Sequence, residues 1–142
     1  MGHSLKILGR TSSINVRKVL WTCQELGIDC QREDWGIGFK PTQSAEFLAL
    51  NPNAQVPVLI DDHGVLWESN TIVRYLCAKQ ASSWYPSDLK ARANAEKWMD
   101  WTTSTFAEPF KIVFWGVLRT PVEKQNWDTI HAGRQACIDV LK

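Results

Sequence analysis

Two short stretches carry side chains whose types and spacing could do chemistry on a peptide ligand. Asn51-Pro52-Asn53-Ala54-Gln55-Val56-Pro57-Val58-Leu59 reads as a turn running into a strand with a proline at its mouth, and Glu68-Ser69-Asn70 heads an apolar-periodic run. An X-Pro bond takes the cis form at modest cost. A cis Pro57 would turn the Val56 backbone groups outward, where an extended tripeptide could pair with them as an added strand. Ser69 falls where the unpaired N–H groups of a helix start point outward, so those groups, the hydroxyl and the helix dipole could together hold a carboxylate. Glu68 beside an anion site makes chemical sense only if the ligand also presents an ammonium. The plainer roles are a turn at Pro57 and an N-cap at Ser69, and a cap is compatible with ligand binding. A third group, Thr11-Ser12-Ser13 with Asn15, stands at the head of an earlier periodic run, where hydroxyls commonly cap a helix.

The elements that must position these residues follow from periodicity. Leu5 to Leu8 is a short apolar run ended by Gly9, a first strand. Val16, Val19, Leu20, Cys23 and Leu26 recur at helical spacing and Gly27 stands at the stop position, so a helix is expected over 15–26. A second strand over 30–34 completes a βαβ unit. Ala45, Phe47, Leu48 and Leu50 make a short helix that must end before Pro52. Residues 56–60 and 65–67, separated by Asp61-Asp62-His63-Gly64, form a hairpin. Ile72, Val73, Tyr75, Leu76 and Ala78 supply the apolar face of the next helix, capped by Ser69 or Asn70. The order β-α-β-α-β-β-α describes an α/β, thioredoxin-like domain over 1–80 with helices on a mixed sheet.

Residues 81–87, with Ser82, Ser83, Pro86 and Ser87, read as a linker to an all-α region over 88–142. Leu89, Ala95, Trp98, Met99, Thr102, Phe106, Phe110, Val113 and Phe114 give one long helical pattern over 88–118, which Pro109 should kink. A second helix is expected to start near Pro121 or Val122, with Trp127, Ile130, Cys137, Ile138 and Leu141 on one face. Two helices cannot enclose both their own apolar faces, so this domain reads as partial.

Composition removes several function classes. The 142 residues are 44% hydrophobic and 22% charged, which suits a soluble globular chain. Sixteen basic against 15 acidic residues leave a net charge of +1 with no basic stripe, which argues against nucleic acid. No apolar run reaches membrane-spanning length, and Met1-Gly2-His3-Ser4 lack signal-peptide character, so no membrane and a cytoplasmic location are expected. Cys23, Cys30, Cys77 and Cys137 form no Cys-x-x-Cys pair, which disfavours disulfide exchange of the thioredoxin kind. His3, His63 and His131 are scattered, so no metal site is expected. The eight tryptophans read mainly as packing residues.

Three motifs in this order, Ser13-x-Asn15-Val16-Arg17-Lys18, Asn51-Pro52-Asn53 through Val56-Pro57-Val58-Leu59, and Trp67-Glu68-Ser69-Asn70 with Ile72-Val73-Arg74-Tyr75-Leu76, cover essentially the whole first domain. Followed by a long helix after a linker, the set resembles the cytosolic glutathione S-transferases. Bacterial members of the serine or asparagine type, related to the theta and nu groups, are the nearest in pattern. The resemblance implies a cytoplasmic, homodimeric detoxification enzyme that activates the glutathione thiolate for attack on small hydrophobic electrophiles or on peroxides. Glutathione would be the co-substrate, with no further cofactor. The alternative is a non-catalytic binding or scaffold protein that keeps the fold and the ligand.

Residue by residue, the resemblance gives Val56 the cysteinyl part of glutathione, beside Pro57 and Gln55, and gives Glu68 and Ser69 the α-amino acid end of the γ-glutamyl group. Gln55 stands where many relatives carry lysine, so an amide replaces a charge there. Lys40 is the nearest basic candidate for the glycyl carboxylate. Ser13 would donate a hydrogen bond to the glutathione sulfur, and with the helix dipole this favours the nucleophilic thiolate. Ser12 or Thr11 could take that place if the loop register differs, and Asn15 could donate instead. Arg17, Lys18 and Arg74 read as structural or surface groups. Phe110, Phe114, Trp115 and Arg119 late on the long helix would line the electrophile site. The family has a larger helical domain than 88–142 supplies, so this region reads as truncated: a fragment, a shortened frame or a naturally short form.

Overall fold

A computed structural model describes residues 5–142 of the chain. The chain divides into two compact units, 1–86 and 87–142. Met1-Gly2-His3-Ser4, whose lack of signal-peptide character and scattered His3 enter the sequence reading, lie outside the described residues.

The first unit contains β1 (Leu5–Leu8), α1 (Ile14–Glu25), β2 (Cys30–Glu33), α2 (Ala45–Leu50), β3 (Val58–Asp61), β4 (Gly64–Trp67) and α3 (Ser69–Lys79). The sheet order is β2-β1-β3-β4, with β1 and β2 parallel and the other pairs antiparallel. The expected β-α-β-α-β-β-α order and mixed sheet are therefore present. Alternation along the strands divides the core in two. Leu5, Ile7 and Leu59 pack with Val16, Val19 and Cys23 of α1 and with Ile72 and Leu76 of α3. Leu8 and Val58 face the other way, onto Trp35 and Phe47, whose ring centroids are 5.0 Å apart. Ile7, Leu59, Ile72 and Leu76 are almost wholly out of water, and each such burial contributes about 1.5–3 kcal/mol.

Local signals explain the element ends. Gly27, at φ 64°, closes α1 in a Schellman arrangement: Ile28 N–H donates to Cys23 O at 2.8 Å and Gly27 N–H to Gln24 O at 3.1 Å. Ser44 Oγ accepts from Phe47 N–H to start α2. In the β3–β4 turn, Asp61 Oδ1 accepts from His63 N–H at 2.9 Å and Gly64 takes φ 126°.

The second unit contains α4 (Leu89–Trp101), a π-helical segment (Thr102–Phe106), α5 (Ala107–Leu118), a 3-10 turn (Val122–Lys124) and α6 (Trp127–Leu141). Two expectations are corrected here. The departure from α geometry falls over Thr102–Phe106, before Pro109, where Ala107 N–H reaches back to Thr102 O. Pro109 has no N–H to give Thr105, so the loosened turn lies where the ladder is already broken. The last helix starts at Trp127 because Asn126 Oδ1 accepts from Thr129 N–H at 3.0 Å, while Pro121 only opens the 3-10 turn. α5 and α6 approach antiparallel through glycines: a Cβ on Gly116 would meet Ile130 at 2.6 Å, and one on Gly133 would meet Ile112 at 2.8 Å.

Candidate functional site

The strand mouth is built by the loop before β3. Asn51 is buried, and its Nδ2 donates to Gln55 O at 2.8 Å while its Oδ1 accepts from Asn53 N–H at 3.0 Å and Asn53 Nδ2 at 3.1 Å. Ala54 in the middle of this loop sits at φ 54°, a region that costs a non-glycine residue energy, and its N–H donates to Asn51 O. One buried amide thus fixes the path of the backbone into Gln55 and Val56. The Val56–Pro57 peptide is cis. Gly9, just past β1, lets this loop close in, since a Cβ there would stand 2.5 Å from Val16 Cγ2 and 3.1 Å from Val56 Cβ.

The other wall is the start of α3. The capping expectation for Ser69 or Asn70 is corrected: Glu68 occupies the cap position at φ 75° and makes no side-chain cap, and Ser69 is the first helical residue. Ser69 is buried, and its Oγ donates to Asn15 Oδ1 at 3.3 Å across to α1. The side chain that sequence pattern assigned to the helix's own N–H groups is thereby turned toward α1. Glu68, in the left-handed region, projects an exposed carboxylate at the helix end. Backbone strain of this kind concentrates at ligand sites. Lys18 of α1 donates from Nζ to Asn70 Oδ1 at 2.7 Å. Burial depresses the Lys18 pKa, and the nearby Glu68 carboxylate partly restores it.

These pieces meet in one open cleft, lined by Asn15, Gln55, Val56, Pro57, Glu68 and Ser69 together with Asn51 and Asn53. Six residues singled out from sequence are therefore brought together from three elements. In sequence Asn51 and Asn53 read as a turn and as part of the family motif, without a place in the site; the signal that marks them is an Asx residue two positions before another, ahead of a Val-Pro strand start. In sequence Gly9 reads as a strand end, and nothing in its sequence neighbours announces the approach of Val56.

The remaining candidates lie elsewhere. Ser13 is the N-cap of α1, where its Oγ accepts from Val16 N–H at 3.5 Å. Ser12 and Thr11 are exposed, and the Thr11 carbonyl accepts from Arg17 Nε at 2.7 Å. Lys40 is outside the cleft lining. It pairs with Glu33 of β2, which holds the Lys40 pKa above its ordinary value, and stands 5.1 Å from the Trp35 ring centroid. The carboxylate at the end of β2 captures it. Phe110, Phe114, Trp115 and Arg119 belong to the second unit, where Phe110 and Phe114 are 5.9 Å apart and the Arg119 guanidinium lies 5.6 Å from the Phe114 ring. Among the described residues no group of three His, Cys, Asp or Glu is placed to hold a metal ion, and no helix is long and apolar enough to cross a membrane.

The four-stranded mixed sheet with α1 and α3 on one face and α2 on the other, followed by a helical region, defines a thioredoxin-like domain with an α-helical extension. Residues 3–78 match the model of the glutathione S-transferase N-terminal domain, and the chain belongs to that family. It is 42% identical over 137 residues to glutathione S-transferase GstB of Escherichia coli K12, an alignment covering 94% of this chain and 65% of that protein. Dichloromethane dehalogenase of Methylophilus leisingeri is 34% identical over 108 residues, covering 74% of this chain and 40% of the relative. A theta class glutathione S-transferase from Xanthomonas axonopodis pv. citri, solved with glutathione bound, superposes with a TM-score of 0.93 at 44% identity, over 99% of this chain and 68% of that one. The chain spans about 65% of the length of the curated relative GstB.

Proposed function

We propose that the chain binds glutathione in the cleft between the Val56 strand mouth and the start of α3, and that it serves glutathione transfer. The observation that carries this reading is the meeting, in one cleft, of the Gln55-Val56-Pro57 strand mouth, an exposed carboxylate at Glu68 and the N-terminus of α3 at Ser69. The Val56 main chain would pair with the cysteinyl backbone as an added strand. The α-carboxylate of the γ-glutamyl group would sit on the first N–H groups of α3, and its ammonium against Glu68. The glutathione bound in the Xanthomonas relative supports the ligand assignment.

For chemistry, the thiol must lose its proton and the thiolate must be held. Ser13 Oγ accepts from Val16 N–H, which leaves its own hydroxyl proton available to an outside acceptor at the positive end of α1. A sulfur anion there would attack an electrophilic carbon, form the C–S bond and expel halide or another leaving group, with the thiol proton passing to solvent. With a peroxide, two glutathione molecules would give the disulfide, an alcohol and water. Phe110, Phe114, Trp115 and Arg119 are the proposed electrophile side. The same reading makes the protein a cytoplasmic homodimer. A second reading, glutathione binding without turnover, is favoured by one observation: Asn15 rather than Ser13 lines the cleft.

Calorimetric titration with glutathione, together with conjugation of a model aromatic halide, tests both readings. Ser13→Ala should lower kcat roughly ten- to a hundredfold, the worth of a hydrogen bond to a charged group, with little change in Kd. Loss of rate in Asn15→Ala but not in Ser13→Ala would move the sulfur-holding role to Asn15. Binding without any turnover selects the second reading, and a folded chain that binds no glutathione removes both.

A further inference from the structure

Lys18 reaches from α1 to α3, where its Nζ donates to Asn70 Oδ1 at 2.7 Å. A second bond, Ser69 Oγ to Asn15 Oδ1 at 3.3 Å, joins the same two helices at the residue directly after Glu68. Neither Lys18 nor Asn70 lines the cleft, so Lys18 acts on a ligand only through the groups it holds and through its charge. The bond to Asn70 holds the Lys18 ammonium two residues past Glu68 at the same helix start, and there burial lowers the Lys18 pKa while the Glu68 carboxylate raises it. Glutathione carries two carboxylates and one ammonium at neutral pH, a net charge of −1. Glu68 suits the ammonium yet opposes the ligand's overall charge, and a cation fixed near Glu68 removes that conflict.

We propose that Lys18 is a positioning residue for the γ-glutamyl end of glutathione: it ties Asn70 and the start of α3 to α1, and its charge balances Glu68 so that the cleft accepts an anionic zwitterion. This inference rests on the glutathione-binding reading above. Its distinctive consequence concerns ligand charge. A des-amino analogue, with hydrogen in place of the α-ammonium, keeps both carboxylates and has net charge −2. Removing the Lys18 cation should therefore weaken the analogue by about the square of the factor by which it weakens glutathione.

The experiment is calorimetric titration of both ligands against the wild-type chain, Lys18→Gln and Lys18→Arg at low and high salt. Glutamine retains a donor for Asn70 and loses the charge. In Lys18→Gln the Kd should rise roughly threefold for glutathione and roughly tenfold for the analogue at low salt, and both losses should shrink at high salt. Lys18→Arg should return both close to wild type. If turnover is present, KM should rise with kcat unchanged. Equal weakening of the two ligands would show a merely structural lysine and overturn the inference, as would unchanged affinities. Should Lys18→Gln not fold, Lys18→Met carries the same expectation. A wild-type chain that binds neither ligand fails the glutathione reading itself, whereas wild-type binding with no charge-dependent loss fails only the role of Lys18.

Discussion

At the scale of single residues, the first unit is held by polar groups that work in fixed surroundings. Asp61 at the end of β3 accepts from Tyr75 Oη at 2.6 Å and Lys79 Nζ at 2.9 Å, both on α3. Burial disfavours its charged form, but the bonds from Tyr75, Lys79 and the His63 N–H outweigh it and hold its pKa at about 2, below the ordinary 3.8. A carboxyl whose folded pKa is depressed adds stability that is fully present above the unfolded value and is lost as pH falls through the folded one. The wild type should therefore exceed Asp61→Asn by about 2 kcal/mol at neutral pH, with the advantage shrinking between about pH 4 and pH 2. Thermal melts of both proteins across that window check this, and a difference that stays constant to pH 2 would show that Asp61 acts through shape alone. The site is legible at this scale only in part. Val56-Pro57 and Glu68-Ser69 are readable because proline and a polar pair ahead of a helix have few other uses. The bracing bond of Asn51 and the close approach at Gly9 are not, because they depend on a carbonyl four residues on and a valine forty-seven residues away.

At the scale of elements, the strands and first helices follow their sequence periodicity because local signals and core demands agree. Leu5, Ile7 and Leu8 of β1 are apolar where the sheet is covered on both faces, and α1 stops at a glycine that can take the left-handed turn. The misread ends are those where two signals compete. Ser69 looks like a cap, but Glu68 takes the cap position and Ser69 is bonded to Asn15, a tertiary partner invisible in the local sequence. Pro121 looks like a helix start, yet Asn126 supplies the side-chain acceptor that Pro121 lacks. The π segment does have a trace in the sequence. Trp101 and Phe106 are five apart, and the extra residue in the turn stacks them 5.8 Å apart in a ladder that continues to Phe110 at 5.4 Å and Phe114 at 5.9 Å. Against that ladder's helix, α6 is set by its glycine. A methyl at Gly133 would lie 2.8 Å from Ile112 Cγ2, 3.0 Å from its Cβ and 3.3 Å from the Pro109 carbonyl, none of them the far end of a flexible chain. Gly133→Ala gains about 1 kcal/mol of helix propensity but forces α5 and α6 apart, at a cost of about 1–3 kcal/mol. We expect net destabilisation, seen as a lower Tm, and recovery when Ile112→Ala is added. A higher Tm for Gly133→Ala alone would mean that the helices are free to slide.

At the scale of the whole molecule, the division into two units separates the parts of the proposed function. Every residue lining the cleft lies between Asn15 and Ser69, and both buried clusters of the sheet domain are built from residues 5–76. The first unit, 1–86, thus holds its own core and the whole of the proposed glutathione site. The aromatic candidates for the electrophile side are all in 87–142. Nothing in the cleft requires a side chain from the second unit, so binding and conjugation should part when the chain is cut. A fragment of residues 1–86 is small enough to be only marginally stable, but the residues of both its buried clusters pack on one another within the unit. It should give a cooperative melt and bind glutathione with a Kd within about threefold of the full chain, since ligand affinity depends on the cleft and not on the size of the molecule. Glutathione at about a hundred times Kd should then stabilise the fragment by about 2.7 kcal/mol, which a melt with and without ligand reads directly. Conjugation of an aromatic halide by the same fragment should fall to the uncatalysed rate. A folded fragment that neither binds glutathione nor gains stability from it would place an essential part of the binding site in the helical unit, against the cleft as it stands between β3, α1 and α3.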